Sequence, residues 1–127
     1  MYIGRFHKYK IAAICVSRIH EESLAHSVRV ISDALVEKGY KVLVFSAFTD
    51  FYTVTPSIEG EASIYSLIDN KLIDVLIVLP ETLKNPAMSG EIINNALAHG
   101  TPVITVDGAY EGAINLLYDY EQGFEKI

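Results

Sequence analysis

Side chains able to recognise a polar ligand recur in this chain at one kind of place, immediately after short apolar runs. Ser17, Arg18 and His20 follow Ile11–Val16, and Phe48 and Asp50 follow Lys41–Ser46. Glu81 closes the stretch Asp74-Val-Leu-Ile-Val-Leu-Pro80, and Asp107 follows Pro102–Val106. Carboxylates accept hydrogen bonds from hydroxyls or an amine, and an aromatic ring stacks on an apolar face. The chemistry this set suggests is binding of a small hydroxylated or cationic molecule in a polar cleft. Asp119 follows a weaker fifth run, but with Gln122 three residues on it forms a capping box and reads as a helix cap.

The residue types of covalent, metal and nucleotide chemistry lack their usual spacing. His7, His20, His26 and His99 show no ligand pattern for a metal. There is no G-x-S-x-G elbow for a nucleophilic serine. Neither G-x-G-x-x-G nor G-x-x-x-x-G-K occurs, so the loops that cradle dinucleotides and nucleoside triphosphates are missing from the sequence. Cys15 lies inside an apolar run with no second cysteine to pair with, and reads as a small core residue of a reducing compartment. No catalytic residue, metal or cofactor is called for.

The elements that must position the candidate residues follow from the apolar pattern. Ile11–Val16, Lys41–Ser46, the stretch after Asp74 and Pro102–Val106 read as strands, and the unbroken apolar run after Asp74 fits one buried on both faces. Ile114–Tyr118 is a fifth. Between the first two, Glu21 and Glu22 suit a helix N-terminus, Leu24, Val28, Ile31 and Leu35 recur at helical spacing, and Gly39 supplies the C-terminal cap. A second helix is expected from Pro56-Ser57, with Ile64, Leu67 and Ile68 on one side and Gly60 weakening its start. A third opens at Asn85-Pro86, buries Ile92, Ile93, Ala96 and Leu97, and stops at Gly100. Such β-α alternation predicts an α/β domain around a doubly wound parallel sheet of about five strands in the order 2-1-3-4-5. In such sheets ligands sit beyond the carboxyl ends of the strands, where the candidate residues fall.

The bulk properties narrow the partners. The 127 residues suit one domain, with half of them apolar and a fifth charged. Ten basic against sixteen acidic side chains leave a net charge of -6. The basic stretch Arg5-Phe-His-Lys-Tyr-Lys10 is too short for a phosphate-tracking surface, so no nucleic acid is expected as partner. No apolar segment is long enough for a signal-peptide core or a membrane span, and a cytoplasmic location is expected. Tyr120, Phe124 and Ile127 begin a further apolar stripe that stops uncapped, which reads as a piece of a longer protein. Residues 1–9 read as a lead-in and 10–127 as one subdomain truncated at its C-terminal end.

Other doubly wound families can be tested by position. A phosphoacceptor receiver needs acids after the first strand and an aspartate ending the third, where this chain has Ser17-Arg18 and Pro80-Glu81. A flavodoxin needs a glycine-rich loop where Ser17-Arg-Ile-His-Glu-Glu-Ser23 stands. Ser89-Gly90-Glu91 leading to His99-Gly-Thr-Pro-Val-Ile104 resembles nucleoside deoxyribosyltransferases. That resemblance implies a catalytic glutamate on the helix, but Glu91 comes earlier than the family's, and Asn94 and Asn95 stand in its neighbourhood.

A broader resemblance covers Lys10 to Ile127. Lys10-Ile-Ala-Ala-Ile-Cys15, Glu37-Lys-Gly-Tyr40, Asp74–Val78, Gly100-Thr-Pro-Val-Ile-Thr-Val-Asp107 and Tyr118-Asp-Tyr-Glu-Gln-Gly123 resemble the N-terminal subdomain of the type 1 periplasmic-binding-protein fold, the effector-binding domain of lac-repressor-type regulators. Phe45-Ser-Ala-Phe48, Gly60-Glu61 before Ile64-Tyr-Ser-Leu-Ile68, and Leu79-Pro-Glu81 are most similar to sensor domains that precede GGDEF diguanylate cyclases. The resemblance implies a sensory module for an unknown small-molecule effector. Its output would lie outside this chain, a second subdomain would form the other cleft wall, and a homodimer would form through the second and third helices. An effector domain of a transcription regulator is the alternative it leaves open. Sugar-binding members carry an Asp-Arg pair after the fourth strand, where this chain has Asp107-Gly108, and the repressors' Asn-Pro-Phe loop is replaced by His20-Glu-Glu-Ser23.

Overall fold

A computed structural model describes residues 9–52, 59–60 and 62–117. They form strand β1 (Lys10–Ser17), helix α1 (Glu22–Glu37), strand β2 (Tyr40–Ala47), a 3-10 turn (Ser63–Leu67) and strand β3 (Val75–Val78). A helical turn α2 (Pro80–Leu83), helix α3 (Pro86–Ala98), strand β4 (Val103–Val106) and strand β5 (Ile114–Leu116) follow. The five strands make one parallel sheet in the order β2-β1-β3-β4-β5, as the apolar pattern predicts.

Period-two alternation within the central strands puts apolar side chains on both faces of the sheet, while Leu43 and Val44 of the edge strand β2 stay exposed. Ile14, Val16, Ile77, Leu79 and Val106 point to one side, where Val28, Ile31 and Leu35 of α1 meet them. Ala13, Cys15, Leu76, Val78 and Val103 point to the other, against Ile93 and Ala96 of α3, Tyr65 of the 3-10 turn, Phe51 and Leu83. Ile14, Leu76 and Leu83 are wholly buried, and each such side chain contributes about 1.5–3 kcal/mol. The Arg18–Glu21 ion pair at the surface belongs to a class of about 0–1 kcal/mol. The two sheet faces therefore decide the fold.

The predicted helix ends hold. Gly39 and Gly100 adopt left-handed φ of 92° and 77°, with their amides bonded to Val36 and Leu97 carbonyls at 2.9 and 3.0 Å. Asn85 Oδ1 accepts the Met88 amide at 3.0 Å, and Pro86 opens α3. Ile93 and Ala96 are buried, with Ile92 and Leu97 packed partly against the same core.

Two stretches differ from expectation. The described end of the second helical region is a 3-10 turn, and its buried residue is Tyr65, while Leu67 is 67% exposed. Tyr65 wins because its ring meets Phe51 edge-on at 5.9 Å and its hydroxyl donates to the Val16 carbonyl at 2.6 Å. The residues after Leu79 form the helical turn α2, an element that the apolar pattern does not predict. β5 spans Ile114–Leu116. Pro56-Ser57, Tyr118, the Asp119–Gln122 cap, the stripe to Ile127 and the basic stretch up to Lys8 lie outside the described residues.

Candidate functional site

The carboxyl end of β1 is tied down by a buried serine. Ser17 donates its amide to Thr82 Oγ1 at 2.9 Å, and its hydroxyl to the carbonyls of Ala47, at 3.3 Å, and Thr49. These bonds hold the ends of β1 and β2 and the turn α2 at one level. Arg18 then turns the chain in a left-handed conformation, φ 58°, with its amide on the Ala47 carbonyl at 3.0 Å. Its guanidinium reaches the Glu21 carboxylate at 3.2 Å and the Thr82 carbonyl at 3.3 Å.

Pro80 and Asn85-Pro86 bracket the turn that carries the next group. Proline is pre-set for a first helical position, so Pro80 starts α2, and the helix cap at Asn85 forces an exit within a few residues. The exit is Lys84, left-handed at φ 57° and ψ 31°, its amide on the Pro80 carbonyl at 3.2 Å. After β4, Asp107 is left-handed at φ 60° and gives its amide to the Leu116 carbonyl at 2.7 Å. Gly108 follows against the Pro80 ring, where an added Cβ would stand 2.8 Å from Pro80 Cγ.

These segments enclose a cleft of about 200 Å³ beyond the carboxyl ends of β1, β3 and β4. It lies where the chain order of the sheet reverses, the place at which open α/β sheets take ligands. Leu24, Leu79 and Val106 line it with apolar surface, and Ser27 and Thr82 add hydroxyls. Of the sequence-derived candidates, Arg18, Glu81 and Asp107 line this cleft. Ser17 is fully buried and bonded to backbone. His20 and Phe48 form a ring pair of their own, with centroids 6.4 Å apart and Phe48 70% exposed. Asp50 accepts the Tyr52 amide at 3.2 Å in the loop after β2. Sequence reasoning missed Lys84, Thr82 and Ser27. The bracketing Pro80 and Asn85-Pro86 were the available signal for a tight turn that ends in a left-handed residue.

Elsewhere the chemistry is sparse. Cys15 is buried at the sheet centre, and burial in apolar surroundings pushes its thiol well above the usual range. Glu91 and Asn95 line a separate groove with Tyr65 and Met88, sharing no residue with the cleft. Among the described residues no three His, Cys, Asp or Glu side chains gather as a metal site would need, and no helix is long and apolar enough to cross a membrane. A scan against protein-family models finds no match to this chain, and a search of curated proteins finds none.

Proposed function

We propose that this chain is a ligand-sensing regulatory domain that takes a small polar molecule in the cleft between Arg18, Glu81 and Asp107. One observation carries the reading. Arg18, Lys84 and Asp107 are the non-glycine residues with positive φ among the described residues, and all three line this cleft. A left-handed non-glycine residue costs about 1–3 kcal/mol and persists where the surrounding structure imposes it, typically at ligand clamps and switches. Glycine would relieve each position. Three charged side chains are kept there instead, around one cavity at the sheet's switch point.

The parallel order β2-β1-β3-β4-β5 supports a type 1 periplasmic-binding-protein-like subdomain, and the sequence resemblance favours a GGDEF diguanylate cyclase as output outside this chain. In this reading ligand binding biases that output through its different affinity for two arrangements of the cleft. The test is a thermal-shift screen of sugars, nucleosides and amino acids. A stabilising hit that is lost in both Asp107→Ala and Glu81→Ala supports the cleft, and a hit indifferent to both rejects it. Coding sequence flanking this chain tests the output: an upstream helix-turn-helix without a downstream cyclase overturns it.

A further inference from the structure

We infer that the cleft is built for a small zwitterion, a molecule carrying one carboxylate and one ammonium group; this rests on the cleft being the ligand site. Both signs of charge line it, Arg18 and Lys84 on one side of the balance and Glu81 and Asp107 on the other, and Arg18 is answered by Glu21. A net-charged ligand would leave one sign unanswered in such a site. A neutral polyol would leave both.

The two charges on the α2 turn are both exposed. Glu81 and Lys84 stand three residues apart, the spacing at which opposite charges pair on a helix. They do not pair: the ion pair among the described residues is Arg18–Glu21. The left-handed backbone at Lys84 takes its side chain out of the helical path. Arg18 is already committed to Glu21 and the Thr82 carbonyl. Lys84 is therefore the cation left for a ligand carboxylate, with Glu81 the acid for its ammonium group. Size sets the scale. A cleft of about 200 Å³ has room for an amino acid with a short side chain.

Four probes separate the possibilities on the full chain: L-serine, its decarboxylated counterpart ethanolamine, its deaminated counterpart 3-hydroxypropionate, and glycerol. Binding is read from the methyl resonances of Leu79 and Val106. L-serine is expected to bind at least ten-fold more tightly than any of the others. Lys84→Gln should remove that advantage while leaving ethanolamine unchanged, and Glu81→Gln should leave 3-hydroxypropionate unchanged. If glycerol or either half-molecule binds as tightly as L-serine, the cleft remains a ligand site and the zwitterion inference falls. If none of the probes, and no hit from the broad ligand screen, moves these methyls, the cleft itself is rejected.

Discussion

The Thr82 hydroxyl accepts the Ser17 amide at 2.9 Å and donates to the Leu79 carbonyl at 2.7 Å. One buried side chain thus joins the end of β1 to the turn after β3. Thr82→Val keeps the shape but strands a buried amide, which costs about 1–3 kcal/mol. Urea unfolding should show that loss. Thr82→Ser should restore most of it, and equal losses in both variants would point to packing instead.

Gly108 touches Pro80, so the β4–β5 connection and the α2 turn meet without a side chain between them. A Cβ there would lie 2.8 Å from Pro80 Cγ and 3.1 Å from Thr105 Oγ1. A proline ring yields little, so Gly108→Ala should destabilise by about 1–3 kcal/mol, the range for overpacking. A melting temperature unchanged from wild type would refute it.

Lys84 stands where glycine would be relaxed. Lys84→Gly relieves a left-handed strain of about 1–2 kcal/mol and loosens the unfolded chain by about 0.4–1 kcal/mol. Net stability should stay level or rise by up to about 1.6 kcal/mol. Lys84→Ala keeps the strain and should be the less stable of the two. The reverse order in denaturant titrations would remove the argument that strain is retained here for a ligand.

Cys15 makes stability fall in alkali. Its folded thiol titrates well above the unfolded value of about 8.5, because burial disfavours the thiolate. Above that pH the unfolded chain has lost a proton that the folded chain keeps, so stability declines as pH rises, by at most about 1.4 kcal/mol per unit. Cys15→Ala should lack this component, and the difference between the two proteins' stabilities from pH 8 to 10 isolates it from other titrations. The native thiol should also resist alkylation until the sheet opens.

Strand order, α1 and the Asn85 cap were legible because they rest on local pattern. Unbroken apolar runs leave the central strands no exposed face, and a capping asparagine before Pro86 has one reading. Tyr65 over Leu67 was not legible, since it depends on the Val16 carbonyl and Phe51, distant in sequence. Around the cleft, Glu81 and Asp107 were legible as lining residues because they directly end runs. Lys84 was hidden, because a left-handed lysine is imposed by its surroundings and leaves no compositional trace. Ser17 was read as a ligand contact, and its burial comes from loop carbonyls converging on it from β2's far end.

The link between β4 and β5 has one more consequence. Parallel neighbours are usually joined by about a dozen residues or more, yet here 107–113 suffice, with Asn115 bonding the Tyr110 amide and the Tyr110 and Ala113 carbonyls at 3.0–3.2 Å. β5 is three residues long and pairs only with β4 among the described strands. Hydrogen exchange should therefore begin there, with the Ile114–Leu116 amides far ahead of those in β1 and β3. Because the Asp107 amide rests on Leu116, each such opening also frees one rim of the cleft. If the cleft takes a ligand as proposed, its occupancy should slow exchange of the Ile114–Leu116 amides.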